Sequence, residues 1–181
     1  TFQQLEFSTL DLVVSGSVIV PKTGGLTVGT VARFLSGTAF TIQDTNTDPD
    51  QNGILFGAGA RVDVNGLVAS TLNLTNADFL AGKLKFSGTG DDAEVINQGA
   101  ITTPGGGQVY LIGSSVTNGG VITSPGGDVV LAAGQTVDLV DSSDPDVRVV
   151  LSAPGSQALN VGKVVAESGR VGIYGALVNQ M

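Results

Sequence analysis

A pair of apolar positions recurs along the second half of the chain and predicts a series of similar short strands. Four segments share an apolar residue followed two positions later by another: Val109 and Leu111, Val129 and Leu131, Val149 and Leu151, and Val171 and Ile173. Alternate side chains of a strand lie on the same face. We therefore expect two inward columns, one made of the four valines and the other of the three leucines and the isoleucine.

A second pattern, built on asparagine and glycine, indicates the length of the repeat. Residues 97–105 (Asn-Gln-Gly-Ala-Ile-Thr-Thr-Pro-Gly) recur 21 residues later as residues 118–126 (Asn-Gly-Gly-Val-Ile-Thr-Ser-Pro-Gly). A third copy begins at Asn160, which lies 42 residues after Asn118. Because 42 residues are two periods, we predict a further coil between Asn118 and Asn160. This coil would have Leu139 in place of the asparagine and a polar loop at residues 141–146.

The period of the repeat selects the fold class. A period near 21 residues is too short for a strand–helix–strand unit or a propeller blade, and fits one coil of a β-solenoid with about three short strands. The whole chain of 181 residues would make about eight or nine coils, a rod on the order of 40 Å long. The sequence thus predicts an all-β parallel β-helix with a stacked apolar interior.

Several polar and aromatic positions recur with the repeat, and each has a structural interpretation. The recurring asparagines are expected to bond to backbone at a corner or to stack on one another. The hydroxyl residues Thr102 and Thr103 recur as Thr123 and Ser124. They form either a hydrogen-bonded structural ladder, which we favour, or a flat surface for ice or glycan. Tyr110 and Tyr174 are expected to point outward by strand alternation and to be exposed.

Composition excludes several classes of function. The chain has 8 basic and 16 acidic residues, a net charge of −8, and contains no Cys and no His. Such an acidic chain repels nucleic acid and anionic lipid, and no apolar run is long enough for membrane insertion. Without Cys, the chain has no disulfide, no thiolate nucleophile and no thiolate ligand for a metal ion.

One acidic loop has the opening of a Ca²⁺-binding loop. Asp48, Asp50 and Asn52 alternate and are followed by Gly53, as in an EF-hand loop. The twelfth position is Gly59 rather than a bidentate acid, so we interpret the segment as a polar turn between coils and expect no cofactor. Two further acidic stretches, at residues 91–94 and 141–146, are interpreted as solvated turns. Carboxylate pairs can hydrolyse glycosides, but these acids lie in separate turns, so we expect no enzyme activity.

Motifs from residue 50 onward resemble a known family. Residues 50–54 read Asp-Gln-Asn-Gly-Ile, residues 55–57 Leu-Phe-Gly and residues 66–71 Gly-Leu-Val-Ala-Ser-Thr. Their order resembles the secretion domain of two-partner-secretion exoproteins, the filamentous haemagglutinin-like family, whose motif is Asn-Pro-Asn-Gly-Ile. Here Asp50 and Gln51 replace its first two residues. The resemblance covers residues 50–181, whereas residues 1–45 are atypical of the family.

The resemblance implies a right-handed β-helix exported from a Gram-negative cell. It implies that a dedicated outer-membrane β-barrel transporter recognises the domain, and Asn52, Gly53 and Ile54 are the expected recognition motif. The protein is then a secreted or cell-surface module of an adhesin-like exoprotein. We expect residues 1–181 to be one β-helix segment of a longer chain continuing past Met181, whose other parts could bind a host-surface glycan or protein.

Two other functions remain open from the residues themselves. One is a structural stalk or extracellular filament module that has no role with a transporter. The other is a carbohydrate-acting β-helix enzyme, which the scattered positions of the acidic residues disfavour. The order of the motifs between residues 50 and 71 favours export recognition over the stalk.

Overall fold

The structure, a computed structural model, is built almost entirely of short β-strands. It describes residues 5–7, 11–13, 18–20, 26–28, 33–44, 53–75, 77–78, 83–88, 94–140, 148–152 and 155–181, with side-chain contacts from residue 53 onward. The strands, in chain order, are β1 (Leu5–Phe7), β2 (Asp11–Val13), β3 (Val18–Val20), β4 (Leu26–Val28), β5 (Arg33–Asp44), β6 (Ile54–Phe56), β7 (Arg61–Ser70), β8 (Asn73–Leu74), β9 (Leu84–Ser87), β10 (Glu94–Asn97), β11 (Ala100–Thr102), β12 (Gln108–Gly113), β13 (Ser115–Asn118), β14 (Val121–Thr123), β15 (Asp128–Ala133), β16 (Thr136–Val140), β17 (Arg148–Ser152), β18 (Gln157–Asn160), β19 (Lys163–Val165), β20 (Arg170–Tyr174) and β21 (Leu177–Gln180).

Parallel pairing between successive coils produces three faces. The first face is a seven-stranded sheet in the order β1-β4-β6-β10-β13-β18-β21. A ten-stranded sheet makes the other two, because β5 and β7 are long enough to turn a corner. The start of β7 pairs with β11 on the second face, and its end pairs with β12 on the third face. The protein is a right-handed parallel β-helix, as predicted.

The interior of the helix is a continuous apolar column on each face. Val109 and Val129 are in register and fully buried, as are Leu111 and Leu131. Val171 is in register with Val129 but is 48% exposed, because β20 is the last strand of the third face and no described strand lies beyond it. The prediction of two stacked columns is confirmed for these strands.

The columns do not include Val149 and Leu151, and that part of the prediction is wrong. Both residues lie on β17, which pairs antiparallel with β16, so that Val149 is in register with Leu139 and Leu151 is in register with Val137. The stack passes directly from β13 to β18 on the first face. The 42-residue interval is therefore one long coil that carries an antiparallel excursion, and the predicted intermediate coil at Leu139 does not exist.

A second excursion follows β7 and completes a separate sheet. Strands β8 and β9 join β16 and β17 in a four-stranded antiparallel sheet in the order β17-β16-β9-β8, which we call the outer sheet. The two excursions explain why the first face has seven strands in the described chain rather than the eight or nine coils predicted. The residues of the excursions lengthen the chain without adding coils to the helix.

The outer sheet packs on the outward side of the third face. Its apolar residues Phe86 and Val137 form a buried cluster with Tyr110, Val130 and neighbouring side chains. Tyr110 does point out of the helix, but only 4% of it is exposed, and Tyr174 is half-buried against the same cluster. The expectation of exposed tyrosines is wrong, because alternation gives the direction of a side chain and not what covers it.

The recurring asparagines form a ladder inside one corner. Asn97 Nδ2 donates to Asn118 Oδ1 at 2.8 Å, and Asn118 Nδ2 donates to Asn160 Oδ1 at 2.7 Å. Asn97 Oδ1 also accepts from Gly99 N at 3.1 Å. All three side chains are buried, so they satisfy each other and the backbone in place of water. Both interpretations of the asparagines, stacking and corner bonding, are confirmed.

Within the predicted threonine ladder, Thr103 and Ser124 form a buried structural contact, whereas Thr102 and its register partner Thr123 lie on the outward side of the second face. Thr103 Oγ1 donates to Ser124 Oγ at 2.9 Å, and Ser124 Oγ donates to Gly107 O at 2.8 Å. Both hydroxyl side chains are buried. A flat surface for ice or glycan needs exposed hydroxyls, so the structural interpretation is confirmed for this pair.

We expect the asparagine ladder to contribute measurably to stability. Asn118→Ala would leave Asn97 Nδ2 without its acceptor and Asn160 Oδ1 without its donor, both inside the protein. Unsatisfied buried groups cost about 1–3 kcal/mol each, so we expect a loss of roughly 3 kcal/mol in urea unfolding followed by circular dichroism. The control is Ser115→Ala on the same strand, at an outward position where the hydrogen bond that is lost, from Ser115 Oγ to Gln157 O at 3.2 Å, is only partly buried. A loss no larger than that of the control would show that the ladder is not energetically important.

Candidate recognition site

The described part of the predicted recognition motif lies at the start of β6, an interior strand of the first face. Asn52 lies outside the described residues, whereas Gly53 and Ile54 are described. Gly53 has a φ of +131°, and a Cβ added there would lie 3.1 Å from Glu94 O. Only glycine adopts this backbone conformation readily. Gly53 therefore allows a sharp turn of the backbone directly before β6. Ile54 is buried in the core and holds the start of β6 in place.

The second part of the motif region marks where the chain leaves the helix. Leu67 and Ala69 are buried in the core, at the end of β7. Beyond them, Ser70 Oγ donates to Leu72 O at 2.9 Å and accepts from Leu72 N at 3.0 Å. This local pairing turns the backbone away from the third face. Leu72 then packs in the cluster beneath the outer sheet, so this motif links the helix to its outer sheet.

The outward side of the first face carries a feature that the sequence interpretation missed. Leu55, Ile96, Thr117 and Leu159 are in register on four consecutive strands, and all are half-buried. We call these residues the outer stripe. A signal for it exists in the sequence, because Ile96, Thr117 and Leu159 each directly precede a ladder asparagine. Alternation then requires them to face outward.

The candidate metal and carboxylate sites fall largely outside the described residues. Asp48, Asp50 and Asn52 are not described, and neither are residues 91–93 and 141–147. Glu94, at the end of the second acidic stretch, accepts a hydrogen bond from Thr117 Oγ1 at 2.9 Å. In the described part of the chain, no three acidic or other metal-binding side chains lie close enough together to hold a metal ion.

We expect the loop at Asp48, Asp50 and Asn52 to have no strong affinity for Ca²⁺. Gly59, at the twelfth position, is an exposed turn residue without a side-chain ligand. Without the bidentate acid, the loop should bind Ca²⁺ more weakly than sensor loops do, whose Kd values are about 10⁻⁷–10⁻⁵ M. Isothermal titration of the whole chain with Ca²⁺ measures this. Sub-micromolar binding that is lost in Asp48→Ala and kept in Asp78→Ala would refute the expectation.

Comparisons with known proteins agree with this architecture. Residues 50–181 match the family described as the TPS secretion domain, where TPS denotes two-partner secretion. The chain belongs to the TPS secretion domain family. Among solved structures, the HMW1 secretion domain from Haemophilus influenzae is similar, with a TM-score of 0.67 and 28% identity over 94% of this chain. No curated protein sequence matches.

Membership of the TPS family establishes the general role of the domain. It is a secretion-related module of a two-partner-secreted protein, and proteins of this family are secreted exoproteins. The TPS family is not an enzyme family. The chain spans about half of the solved structure that it matches, 48% of its length. Among the described residues, no helix has the length and apolar character needed to cross a lipid bilayer.

Proposed function

We propose that this TPS domain is recognised by an outer-membrane β-barrel transporter and then nucleates the folding of a longer adhesin-like exoprotein at the bacterial surface. The observation that carries the proposal is the match of residues 50–181 to the TPS secretion domain. The position of Gly53 and Ile54 supports it. These residues lie where β6, an interior strand of the first face, begins, so the motif also marks the start of a coil on which folding can build.

The solenoid architecture suits export without an energy source outside the cell. Each coil contacts mainly its neighbours, so coils can fold one at a time as the chain emerges. Each added coil buries apolar side chains and cannot easily slide back. The last described coil illustrates the driving force, because Val171, Leu177 and Val178 on its edge are between 44% and 52% exposed. A coil added on this edge would cover them. A chain without Cys also forms no cross-link that could block a narrow pore.

The recognition motif is tested by secretion of the parent protein through its own transporter. We expect Asn52→Ala combined with Gly53→Ala to reduce the secreted amount roughly tenfold, which corresponds to the loss of about 1.4 kcal/mol of recognition free energy. Because Gly53 has a backbone conformation that alanine rarely adopts, Asn52→Ala is also tested alone. Circular dichroism of each purified variant checks its fold.

The control is a double alanine variant of similar size on the same helix. Thr102→Ala with Gly105→Ala changes two exposed positions away from the first face, and secretion should be unchanged. If the Asn52→Ala protein is folded and exported at the wild-type rate, the motif has no recognition role. The interpretation as a structural stalk would then gain support.

A further inference from the structure

Two surface grooves lie next to each other where the second face turns into the third, in the last described coils. Their cavity volumes are about 340 Å³ and 410 Å³, and both volumes are within the range of small-ligand sites. Asp128 and Arg170 line both grooves, so this pair of side chains stands at their common boundary. We call the two cavities the paired grooves. No residue of the recognition motif lines either of them.

The boundary of the paired grooves belongs to an outward column of polar side chains. Gln108, Asp128 and Arg170 are in register on β12, β15 and β20. Arg170 Nε donates to Asp128 Oδ1 at 3.1 Å, and Arg170 Nη2 donates to Asp128 Oδ2 at 3.3 Å. The arginine side chain is 48% exposed, and ion pairs in contact with water add little to stability. The pair does hold two planar polar groups in fixed positions, which lowers the entropy lost when a ligand binds.

The smaller groove has an aromatic wall. Gly172 is in register with Val130, and it has no side chain to fill the space outside β20. The ring of Tyr174 extends across this position, because a Cβ added to Gly172 would collide with the Cε2, Cζ and Oη atoms of the ring. The ring therefore lies along the strand towards Arg170 and lines the groove. A flat ring beside hydrogen-bonding groups suits a ligand with one apolar side and one polar side.

The larger groove contains a corner residue with an unusual backbone conformation. Gly106 and Gly126 have φ values of +80° and +64° at the equivalent corners of earlier coils. Ser168 follows at the third corner with a φ of +65°, and no other non-glycine residue in the described part of the chain has a positive φ. This conformation is unfavourable for a residue with a side chain, and residues held in it cluster at functional sites. Ser168 is exposed and lines the groove beside Asp128 and Arg170.

The chemistry of the paired grooves favours a neutral ligand that is rich in hydroxyl groups. Asp128 only accepts hydrogen bonds, and Arg170 only donates them. Gln108 and Ser168 do both, so donors and acceptors alternate over a short distance. Hydroxyl groups each donate and accept, so neighbouring hydroxyls match this mixture. The charges of Asp128 and Arg170 cancel, and Glu167 is exposed directly before Ser168, so an anion would be repelled.

We propose that the paired grooves bind a neutral oligosaccharide. Asp128 and Arg170 bond to its hydroxyl groups, and the ring of Tyr174 packs on the apolar side of a sugar. The site exists only in the folded helix, so it acts after export and does not depend on recognition by a transporter. The domain is then itself a glycan-binding module of the exoprotein, in addition to its role in secretion.

An array of neutral and acidic oligosaccharides, probed with the labelled whole chain, tests the proposal. We expect binding to neutral members and none to acidic ones. The groove variant combines Gln108→Ala with Ser168→Gly, and its signal should fall roughly tenfold, as the loss of two hydrogen bonds would cause. Ser168→Gly is also tested alone, because it removes the hydroxyl while introducing the residue that the equivalent corners carry, so the fold should be preserved.

The matched control is Gln98→Ala, which removes an exposed glutamine at the corner between the first and second faces. Its signal should equal that of the wild-type chain, and circular dichroism checks the fold of every variant. Absence of binding to any neutral oligosaccharide, or stronger binding to acidic ones, would overturn the proposal. Wild-type binding by the folded Ser168→Gly protein and the groove variant would also overturn it.

Amide NMR shifts provide a second measurement that locates the site. The whole chain is titrated with the neutral oligosaccharide that gives the strongest signal on the array. We expect the largest shifts at residues 126–130 and 168–174, which line the paired grooves. Largest shifts on the first face, or on the outward side of the second face, would show that the oligosaccharide binds elsewhere and that the assignment to the grooves is wrong.

Discussion

Replacing Leu131 by aspartate should unfold the protein or cost about 4 kcal/mol or more of its unfolding free energy. Leu131 is fully buried in the core cluster of the helix. Its register partners on the adjacent strands are Leu111 and Ile173. A carboxyl group there would lose its hydration and find no polar partner among apolar neighbours. Leu131 lies between two neighbouring coils, so the loss of stability should affect both of them.

Urea unfolding at several pH values measures the effect of Leu131→Asp and its cause. Burial raises the pKa of the introduced carboxyl in the folded state above its unfolded value. The destabilisation is therefore largest at neutral pH and shrinks as the pH falls through the raised pKa, because the folded state then binds the proton more tightly. Val121→Asp is the control, since this outward residue is 41% exposed and pairs in register with Lys163. It should cost less than about 1 kcal/mol. A similar cost for both variants would contradict the buried position of Leu131.

Gly127→Ala is expected to cost about 3 kcal/mol or more, although it adds a single methyl group. A Cβ at this position would overlap the carbonyl oxygen of Gly107 in the adjacent coil, and it would also collide with Ser124 Oγ. The backbone of one coil cannot move away from the next without breaking the ladder between them. The side chain at residue 127 is therefore excluded by close approach of two backbones and not by a special φ angle.

A neighbouring glycine provides the matched control for Gly127→Ala. Gly105 is exposed, and the nearest atom to an added Cβ is Pro125 O at 3.9 Å. Gly105→Ala should change the unfolding free energy by no more than about 0.5 kcal/mol. Thermal and urea unfolding of both variants would decide the matter. Equal stability of the two variants would mean that the coils can separate at this corner to admit a methyl group.

The outer sheet shows how a repeat pattern can mislead. Strand β17 carries the same apolar alternation as β12 and β15, so its sequence is compatible with a coil of the helix. In the structure it pairs antiparallel with β16 instead, and Val149 packs in the cluster under the outer sheet. Apolar alternation indicates that one face of a strand is buried. The pattern is identical for a strand buried inside the helix and for a strand buried under the outer sheet.

The sequence by itself determined the parallel β-helix, the length of its coil, the columns of Val109, Val129, Leu111 and Leu131, and the asparagine ladder. These features depend on local alternation and on side chains that repeat at equivalent positions, and both are visible along one chain. Only the tertiary structure decided which strands leave the helix and that Tyr110 is covered. It also decided that the outer stripe of the first face is left at the surface. These features depend on which distant segments meet, because the free energy of burial depends on a side chain's neighbours in space and not on its neighbours in sequence.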